Sequence, residues 1–462
     1  MDIVIVGAGK VGETLCIDLV AEQHDIVLID LDEERLEHMI AIADITGVVG
    51  NGALYNIQEE AGVASCDVFI AVTPSDETNI IAAITAHTLG AGHVIARVRS
   101  PEYSLQMSFL RERLGIRLMI NPDLEAARDI ERMILLPSAQ QVEHFEQGRV
   151  NLAAFLLPED TELNGVALRD LALKNGRVIV CIIERDGEVI IPDGNTRLLH
   201  GDVVYVTGKP PDLEQFQRRA GLLQKPIRSA LIIGGGRITR YLLPRLQRLR
   251  IRIKVIEINP ELADALAADF PDVEVICGDG TDQMFLHEER VAGFDAVISL
   301  TGIDEENILV SLYASDLGVR RTITKVNRIH LMRLMCKVAP QTTHALQSVV
   351  TPHHLIADRT IRYIRSIRER RGSNIDAFYR LADARVEALQ FHVVEASRAT
   401  GTPLMELPLR SNLLLALIQR DGQLIYPGGN DAILPGDHVL IITTQRNIST
   451  LDDILREGGG AS

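Results

Sequence analysis

Ile3-Val4-Ile5-Val6-Gly7-Ala8-Gly9-Lys10-Val11-Gly12 and Ala230-Leu231-Ile232-Ile233-Gly234-Gly235-Gly236-Arg237-Ile238-Thr239 are one element written twice. In each, four apolar residues run into a glycine-rich turn that opens a helix. The first copy is a GxGxxG: Gly7 permits the tight turn, Gly9 lets backbone approach a diphosphate, and Gly12 allows close helix–strand packing. A helix beginning there offers free N–H groups and a partial positive charge to phosphate.

The duplication extends well beyond the turn. VLIDLD (27–32), with Asp30, returns as KVIEIN (254–259), with Glu257 at the same place. VVGNGA (48–53) returns as VICGDGT (275–281), and AVTPSDETN (71–79) as SLTGIDEEN (299–307). A second kind of segment, ERDGEVIIPDGNTRLLHGDVVYV (184–206), returns as QRDGQLIYPGGNDAILPGDHVLI (419–441). The order is therefore A1, B1, A2, B2. These landmarks give expected domains at 1–140, 141–224, 225–370 and 371–462, and 462 residues is a length that needs several cores.

Each A unit alternates compact apolar runs with helix-period segments. Strands are expected at 2–6, 26–30, 68–72 and 94–98, and helices start near Asp32 and Asp76 with Glu33, Glu34 and Glu77 in their first turns. Apolar runs without polar alternation suit strands covered on both faces, so each A unit is expected to be a Rossmann-like, doubly wound parallel sheet of α/β class. A helix over 122–136 is expected to join A1 to B1. Each B unit has short strands punctuated by Gly, Pro and Asp, with hairpin turns at Arg185-Asp186-Gly187 and Arg420-Asp421-Gly422. B reads as a small α+β or β-rich module of about 80 residues.

Asp30 ends the second strand, where a carboxylate accepts hydrogen bonds from ribose hydroxyls and repels a 2′-phosphate. NAD(H) or an unmodified nucleotide is thus favoured over NADP in A1. In A2, Glu257 keeps the acid, but Thr239 stands where the third glycine should be. Arg237, at the helix start, either reaches a terminal phosphate or is a solvated first-turn residue. The two sites can therefore differ, with a dinucleotide in A1 and ATP or ADP in A2. Further loops at strand carboxyl ends carry Asn51-Gly52, Asp279-Gly280, Thr73-Pro74-Ser75-Asp76 and Thr301-Gly302-Ile303-Asp304. Turn chemistry is the alternative reading of the first two, and helix capping is the favoured reading of Asp76 and Asp304. Arg97 and Lys325 occupy matched positions, facing phosphate or pairing with a carboxylate.

Net charge of −16 argues against nucleic acid as a partner and against adsorption on anionic lipid by charge alone. The start, MDIVIVGAGKVGETL, has no charged n-region of a signal peptide, and no run approaches about 20 uninterrupted apolar residues. Five scattered cysteines (Cys16, Cys66, Cys181, Cys277, Cys336), without CxxC, suit reduced thiols in a cytosol. His353-His354 has no other metal ligand at coordination spacing and is expected to be a loop or surface pair. Arg359, Arg362, Arg365, Arg368 and Arg371 recur every third residue beside Arg370, a basic stripe on a helix whose Ile361, Ile364 and Ile367 face inward. The stripe is a solvated face or docks on an acidic or juxtamembrane surface. No acid–base residue follows the nucleotide units in a dehydrogenase-like substrate domain, and no GxSxG, HExxH or Walker A motif occurs. A sensor is the better expectation than an enzyme. The rival is an NAD-dependent oxidoreductase, and a redox-sensing transcription regulator lacks its helix-turn-helix.

VGAGKVGETL, the GNG after the third strand, AVTPSDETN, IARVRSPEY (95–103) and the repeated RDG…P(D/G)G…GD patterns (185–202, 420–437) carry a resemblance over essentially the whole chain. The sequence resembles the TrkA family, peripheral regulatory subunits of bacterial Trk potassium uptake systems built from two tandem regulator-of-K⁺-conductance (RCK) units. The resemblance implies that A1 holds NAD(H) through Gly7, Ala8, Gly9, Lys10 and Val11, with Asp30, Thr73, Pro74 and Arg97. It implies a second nucleotide site from Gly234, Gly235, Gly236, Arg237, Ile238 and Glu257, with Asp279 and Lys325. It also implies a cytoplasmic ring, a tetramer made as a dimer of dimers, on the inner face of a TrkH-like K⁺-translocating membrane subunit.

Overall fold

The computed structural model describes residues 1–100, 103, 113–139, 141–145, 150–171, 178–223, 225–328, 331, 346, 348–369, 375–382, 385–445, 448 and 450–456. The chain divides into two compact units, each drawing on both halves of the sequence: Met1–Ile134 with Ile227–Ile361, and Leu135–Pro226 with Arg362–Ser462.

The first unit holds two parallel sheets. One contains β1 (Asp2–Val6), β2 (Asp25–Asp30), β3 (Thr46–Val49), β4 (Val68–Ala71), β5 (His93–Arg97) and β6 (Leu118–Ile120) in the order β3-β2-β1-β4-β5-β6. The strand order reverses beside β1, so the carboxyl ends of β1 and β4 splay their connections apart and leave a crevice. The helices are α1 (Lys10–Ala21), α2 (Glu33–Ile42), α3 (Tyr55–Glu60), α4 (Asp76–Leu89) and α5 (Pro122–Leu135). β1 and β4 are buried almost throughout, as unbroken apolar runs require in a sheet covered on both faces.

The second half repeats this order. Its sheet contains β12 (Ser229–Ile233), β13 (Arg252–Glu257), β14 (Glu274–Cys277), β15 (Ala296–Ser299), β16 (Arg321–Lys325) and β17 (Val349–Val350), in the order β14-β13-β12-β15-β16-β17. With it go α7 (Arg237–Arg248), α8 (Pro260–Asp269), α9 (Gln283–Glu288), α10 (Asp304–Asp316) and α11 (Pro352–Glu369).

The joining helix does not stay on its own sheet. Ala126, Ala127, Ile130, Met133 and Ile134, the buried stripe of α5, belong to one core with Ala230, Ile232, Leu242, Leu246 and Val255 of the second half. Polar contacts follow the same path: Arg245 Nη1 donates to Glu131 Oε2 at 2.6 Å, and Asn121 Nδ2 to the Tyr241 hydroxyl at 2.9 Å. That hydroxyl donates in turn to the carbonyl of Arg99 at 2.9 Å. The crossing carries the residues at the start of α5 to the carboxyl edge of the other half's sheet, where they bear on the second site.

The second unit holds two antiparallel sheets. The first has β7 (Gln141–Phe145), β8 (Val150–Leu156), β9 (Val178–Arg185), β10 (Glu188–Ile190) and β11 (Val203–Gly208) in the order β10-β9-β11-β8-β7, flanked by α6 (Pro210–Arg219). The other has β18 (Ile375–Leu381), β19 (Val386–His392), β20 (Leu413–Arg420), β21 (Gln423–Ile425) and β22 (His438–Thr443) in the order β18-β19-β22-β20-β21. Leu152, Cys181 and Tyr205 of one sheet share a core with Ala388, Leu417 and Leu440 of the other. The Asp186 and Asp421 hairpins have both central residues at positive φ (52° and 83°; 49° and 76°), the twist that joins adjacent strands without splaying them.

The RDG…GD patterns are more than turn chemistry. Arg185 grips Asp202 with Nε at 2.7 Å and Nη2 at 2.8 Å, while the same carboxylate accepts from Leu199 N at 2.8 Å. Arg420 grips Asp437 at 2.8 Å through both nitrogens, with Leu434 N at 2.7 Å. Each pair ties the hairpin strand to the start of β11 or β22.

The described arginine side chains of the basic stripe are paired. Arg359 bonds Glu125, and Arg365 lies 3.6 Å from Glu387. The side chains of Arg362 and Arg368, and both Arg370 and Arg371, lie outside the described residues. Ile361, Ile364 and Ile367 are buried, as their spacing implied. Cys16, Cys66 and Cys181 are buried free thiols, and burial pushes Cys16 and Cys66 up to about 12. Cys277 is free and exposed, while Cys336 lies outside the described residues.

Candidate functional site

Both glycine loops sit at the carboxyl end of the central strand, at the switch point. Gly7 has φ 110°, and Gly234 has φ 103°, which only glycine adopts without strain. A Cβ on Gly12 would lie 1.9 Å from the carbonyl oxygen of Gly7, so side-chain-free packing fixes α1 against the loop. In the second copy, Thr239 is fully buried and its hydroxyl fills the equivalent gap, donating to Gly234 O at 2.5 Å. The departure from glycine is thus satisfied by the loop itself.

The N-cap residues preceding α1 and α7 are Gly9 and Gly236, with extended backbone and no side-chain cap. A Cβ on either would meet nothing within 4 Å. These helix starts therefore keep N–H donors and open space for an anion, as a diphosphate requires. Asp30 braces the first loop: Oδ2 accepts from Ala8 N at 2.5 Å and Oδ1 from Asp32 N at 2.9 Å. Glu257 does the same, accepting from Gly235 N at 2.5 Å and Asn259 N at 2.9 Å. Each carboxylate has further lone pairs, so bracing leaves acceptors for hydroxyls.

At the next strand end, Asn79 was not singled out by sequence reasoning. It is fully buried; Oδ1 accepts from Thr73 N at 2.8 Å, and Nδ2 donates to the carbonyls of Thr73 and Arg97, both at 3.0 Å. Asn307 repeats this with Thr301 and Lys325. Its signal was recurrence at the end of AVTPSDETN and SLTGIDEEN. Asp76 and Asp304 do not cap their helices. Ser75 caps α4, accepting from Thr78 N at 3.1 Å, while Asp76 accepts from Arg99 N and Ser100 N at 2.9 and 2.8 Å. Asp304 accepts from the amides of Asn327 and Arg328, which outweigh burial and hold its carboxyl below the usual range. Both acids instead anchor the segment beyond β5 or β16, because the loop turns back over the helix start.

Arg97 and Lys325 each donate to the backbone carbonyl at the neighbouring strand end. Arg97 is buried and donates to the Thr73 carbonyl, while Lys325 Nζ donates to the Thr301 carbonyl at 2.8 Å. Burial, with help from Arg99, brings Arg97 down to about 10, and burial also lowers Lys325. Cations held partly desolvated at a strand end are poised for an anionic ligand. Thr73 Oγ1 is engaged by Asn79 at 2.8 Å, and the Pro74 carbonyl accepts from Arg99. Asn51 turns its own loop, accepting from Ala53 N at 3.0 Å. Asp279 is exposed and turned onto Thr281, whose hydroxyl and amide lower it. Both side chains bond within their own turns.

Two residues bear on the sites from the opposite half. A cleft of about 390 Å³ beside the second loop is lined by Gly236, Arg237, Lys325 and, from α5, Asp123. Arg237 Nε donates to Asp123 Oδ2 at 2.9 Å, so Arg237 is not merely solvated. Half of the Arg237 side chain stays exposed, which limits such a pair to about 0–1 kcal/mol. His353, the second residue of α11, is half-buried rather than a surface residue; His354 beside it is exposed. Burial above all, then the charges of Lys10 and Arg97, depress the His353 imidazole to about 4. The unfolded chain accepts a proton that this site refuses, so stability falls as pH drops from about 6.5 towards 4. Neither residue was legible as a site residue, since each belongs to the other repeat.

The chain matches the TrkA-N domain at residues 3–122 and 230–345, and the TrkA-C domain at 152–221 and 389–456. It is similar to the Trk system potassium uptake protein TrkA homolog of Archaeoglobus fulgidus, 32% identical over 457 residues, 99% of this chain and 100% of that protein. It is 30% identical to the Trk system potassium uptake protein TrkA of Vibrio alginolyticus over 96% of each chain. The fold resembles the GsuK channel bound to NAD, with TM-score 0.60 and 17% identity, covering 96% of this chain and 76% of that one. With both repeats and both small modules matched in order, this chain belongs to the TrkA family.

Proposed function

We propose that the chain is a nucleotide-reading regulatory subunit that gates a Trk-type potassium uptake system. The observation that carries this reading is the pair of uncapped helix starts at Gly9 and Gly236, each with its loop braced by a carboxylate, Asp30 or Glu257. In the first site, the Gly7–Gly12 loop binds the diphosphate of NAD(H), Asp30 accepts from ribose, and Arg97 faces the phosphates. Thr73, Pro74 and Asn51 shape the rim through backbone groups. In the second, Gly234–Ile238, Glu257 and Lys325 hold ATP or ADP, with Arg237 on the terminal phosphate. Asp279 acts there only by shaping its turn.

Gating needs no chemistry by these residues. A ligand with unequal affinity for two shapes of the assembly shifts their populations. Inverting a 1:99 ratio takes about 5.5 kcal/mol of differential binding, which several sites can share. The assembly in this reading is a dimer of dimers against a TrkH-like membrane subunit on the cytoplasmic face. Among the described residues, no helix is long and apolar enough to cross a membrane.

ATP reaches Arg237 by displacing Asp123, a weak partner because Arg237 is half-exposed, whereas ADP is one phosphate shorter. Arg237→Ala is expected to weaken ATP about tenfold or more, leave ADP nearly unchanged, and erase the ATP/ADP difference in K⁺ flux. Calorimetry together with flux through proteoliposomes holding the membrane subunit checks this. An unchanged ATP/ADP difference contradicts the reading. Steady consumption of NADH with a panel of carbonyl compounds would favour the oxidoreductase instead.

A further inference from the structure

The matched positions at the start of α5 and α11 carry opposite chemistry. Asp123 follows the first residue of α5 and supplies a carboxylate to the phosphate end of the second loop, 2.9 Å from Arg237. His353 follows the first residue of α11. Its Nδ1 is buried and has no hydrogen-bond partner among the described residues. A buried polar nitrogen without a partner is costly unless something absent from the protein completes it.

The charges around it say what that is. Lys10 from α1, Arg97 from β5, Lys325 from β16 and His354 from its own helix all act on His353, and all disfavour its protonation. Of the carboxylates that act on Arg97, Asp76 accepts the amides of Arg99 and Ser100 on Oδ2, and Asp123 is bonded to Arg237. Asp123 thus gives the second loop's arginine a carboxylate, while the matched position beside the first site carries an imidazole. A cluster of cations around an imidazole whose Nδ1 has no partner among the described residues is completed by an oxyanion.

We propose that His353, carried by the second half, is a phosphate-contacting residue of the first nucleotide site. The inference rests on that site holding a nucleotide. A phosphate beside Nδ1 replaces the unfavourable cationic surroundings with a negative acceptor, so the imidazole gains a proton on binding and donates it to the phosphate oxygen. Binding then takes up a proton from solvent, and affinity rises as pH falls. Because His353 belongs to the other repeat, the contact also ties the two halves together when the first site fills.

The test uses the full chain carrying Glu257→Ala, which disables the second site, and titrates it with NADH in buffers of differing ionisation heat. With His353 present, affinity should rise about five- to tenfold from about pH 7.5 to 6.0, with uptake of up to about one proton per site. With His353→Gln added, the pH slope should vanish and binding at the acid end should weaken by about the same factor. Heats independent of buffer with His353 present, or a pH slope that survives His353→Gln, would overturn this inference alone. No NADH binding at any pH with His353 present would overturn the nucleotide reading and this inference together. The buffer dependence needs no substitution at His353, so it stands even where the glutamine variant folds poorly.

Discussion

Asp437→Ala is expected to lower the stability of the chain by about 3–5 kcal/mol and the melting temperature of its transition by about 10 °C. Asp437 is fully buried, and its two oxygens are occupied by Arg420 and Leu434 N. Removing it leaves the Arg420 guanidinium without its charge partner and an amide without an acceptor, which costs more than the intact pair contributes. Asp202→Ala should behave alike, because Arg185 and Leu199 repeat the arrangement around a carboxylate of 1% exposure. Scanning calorimetry checks both. A loss below about 1 kcal/mol would mean that the hairpin keeps its place without the pair, as an exposed salt bridge would allow.

Gly12→Val should strongly weaken binding at the first site. Its Cβ would lie 1.9 Å from the Gly7 carbonyl, so either α1 moves away from the loop or the loop collapses. Both displace the N–H groups that face phosphate. NADH affinity at the first site should fall at least about 100-fold, roughly 2.8 kcal/mol, with about 1–3 kcal/mol of stability lost to overpacking. The second site tolerates Thr239 because its hydroxyl bonds the corresponding carbonyl, and valine has no such group. Binding by Gly12→Val within about threefold of the parent, followed by NADH fluorescence, would show that the loop is not where phosphate sits.

Much of this was legible before any coordinates. Unbroken apolar runs ending in glycine turns specify parallel strands and their order, since a switch point needs only the βαβ alternation. Strands β6 and β17 were not foreseen, because three- and two-residue edge strands carry no periodicity. Nor was the crossing of α5. Its period marks Ala126, Ile130 and Met133 as buried but not against which sheet, and the answer depends on contacts more than 100 positions away in sequence. That crossing hid Asp123 and His353. Their only sequence trace is the charge mismatch between matched positions of the two repeats. The Arg185–Asp202 and Arg420–Asp437 pairs left a clearer one, an oppositely charged couple at the same separation in both modules. Turn residues around them drew attention to the glycines instead.

We propose that two nucleotide clefts, braced by Asp30 and Glu257, each bind their own ligand. Calorimetric titration of the purified chain with NADH and with ATP, for the parent, Asp30→Ala and Glu257→Ala, tests it most directly. Each substitution should remove one site and leave the other: NADH binding lost with Asp30→Ala, ATP binding lost with Glu257→Ala. Full retention of both ligands by both variants, or no heat from either ligand with the parent chain, would contradict the account.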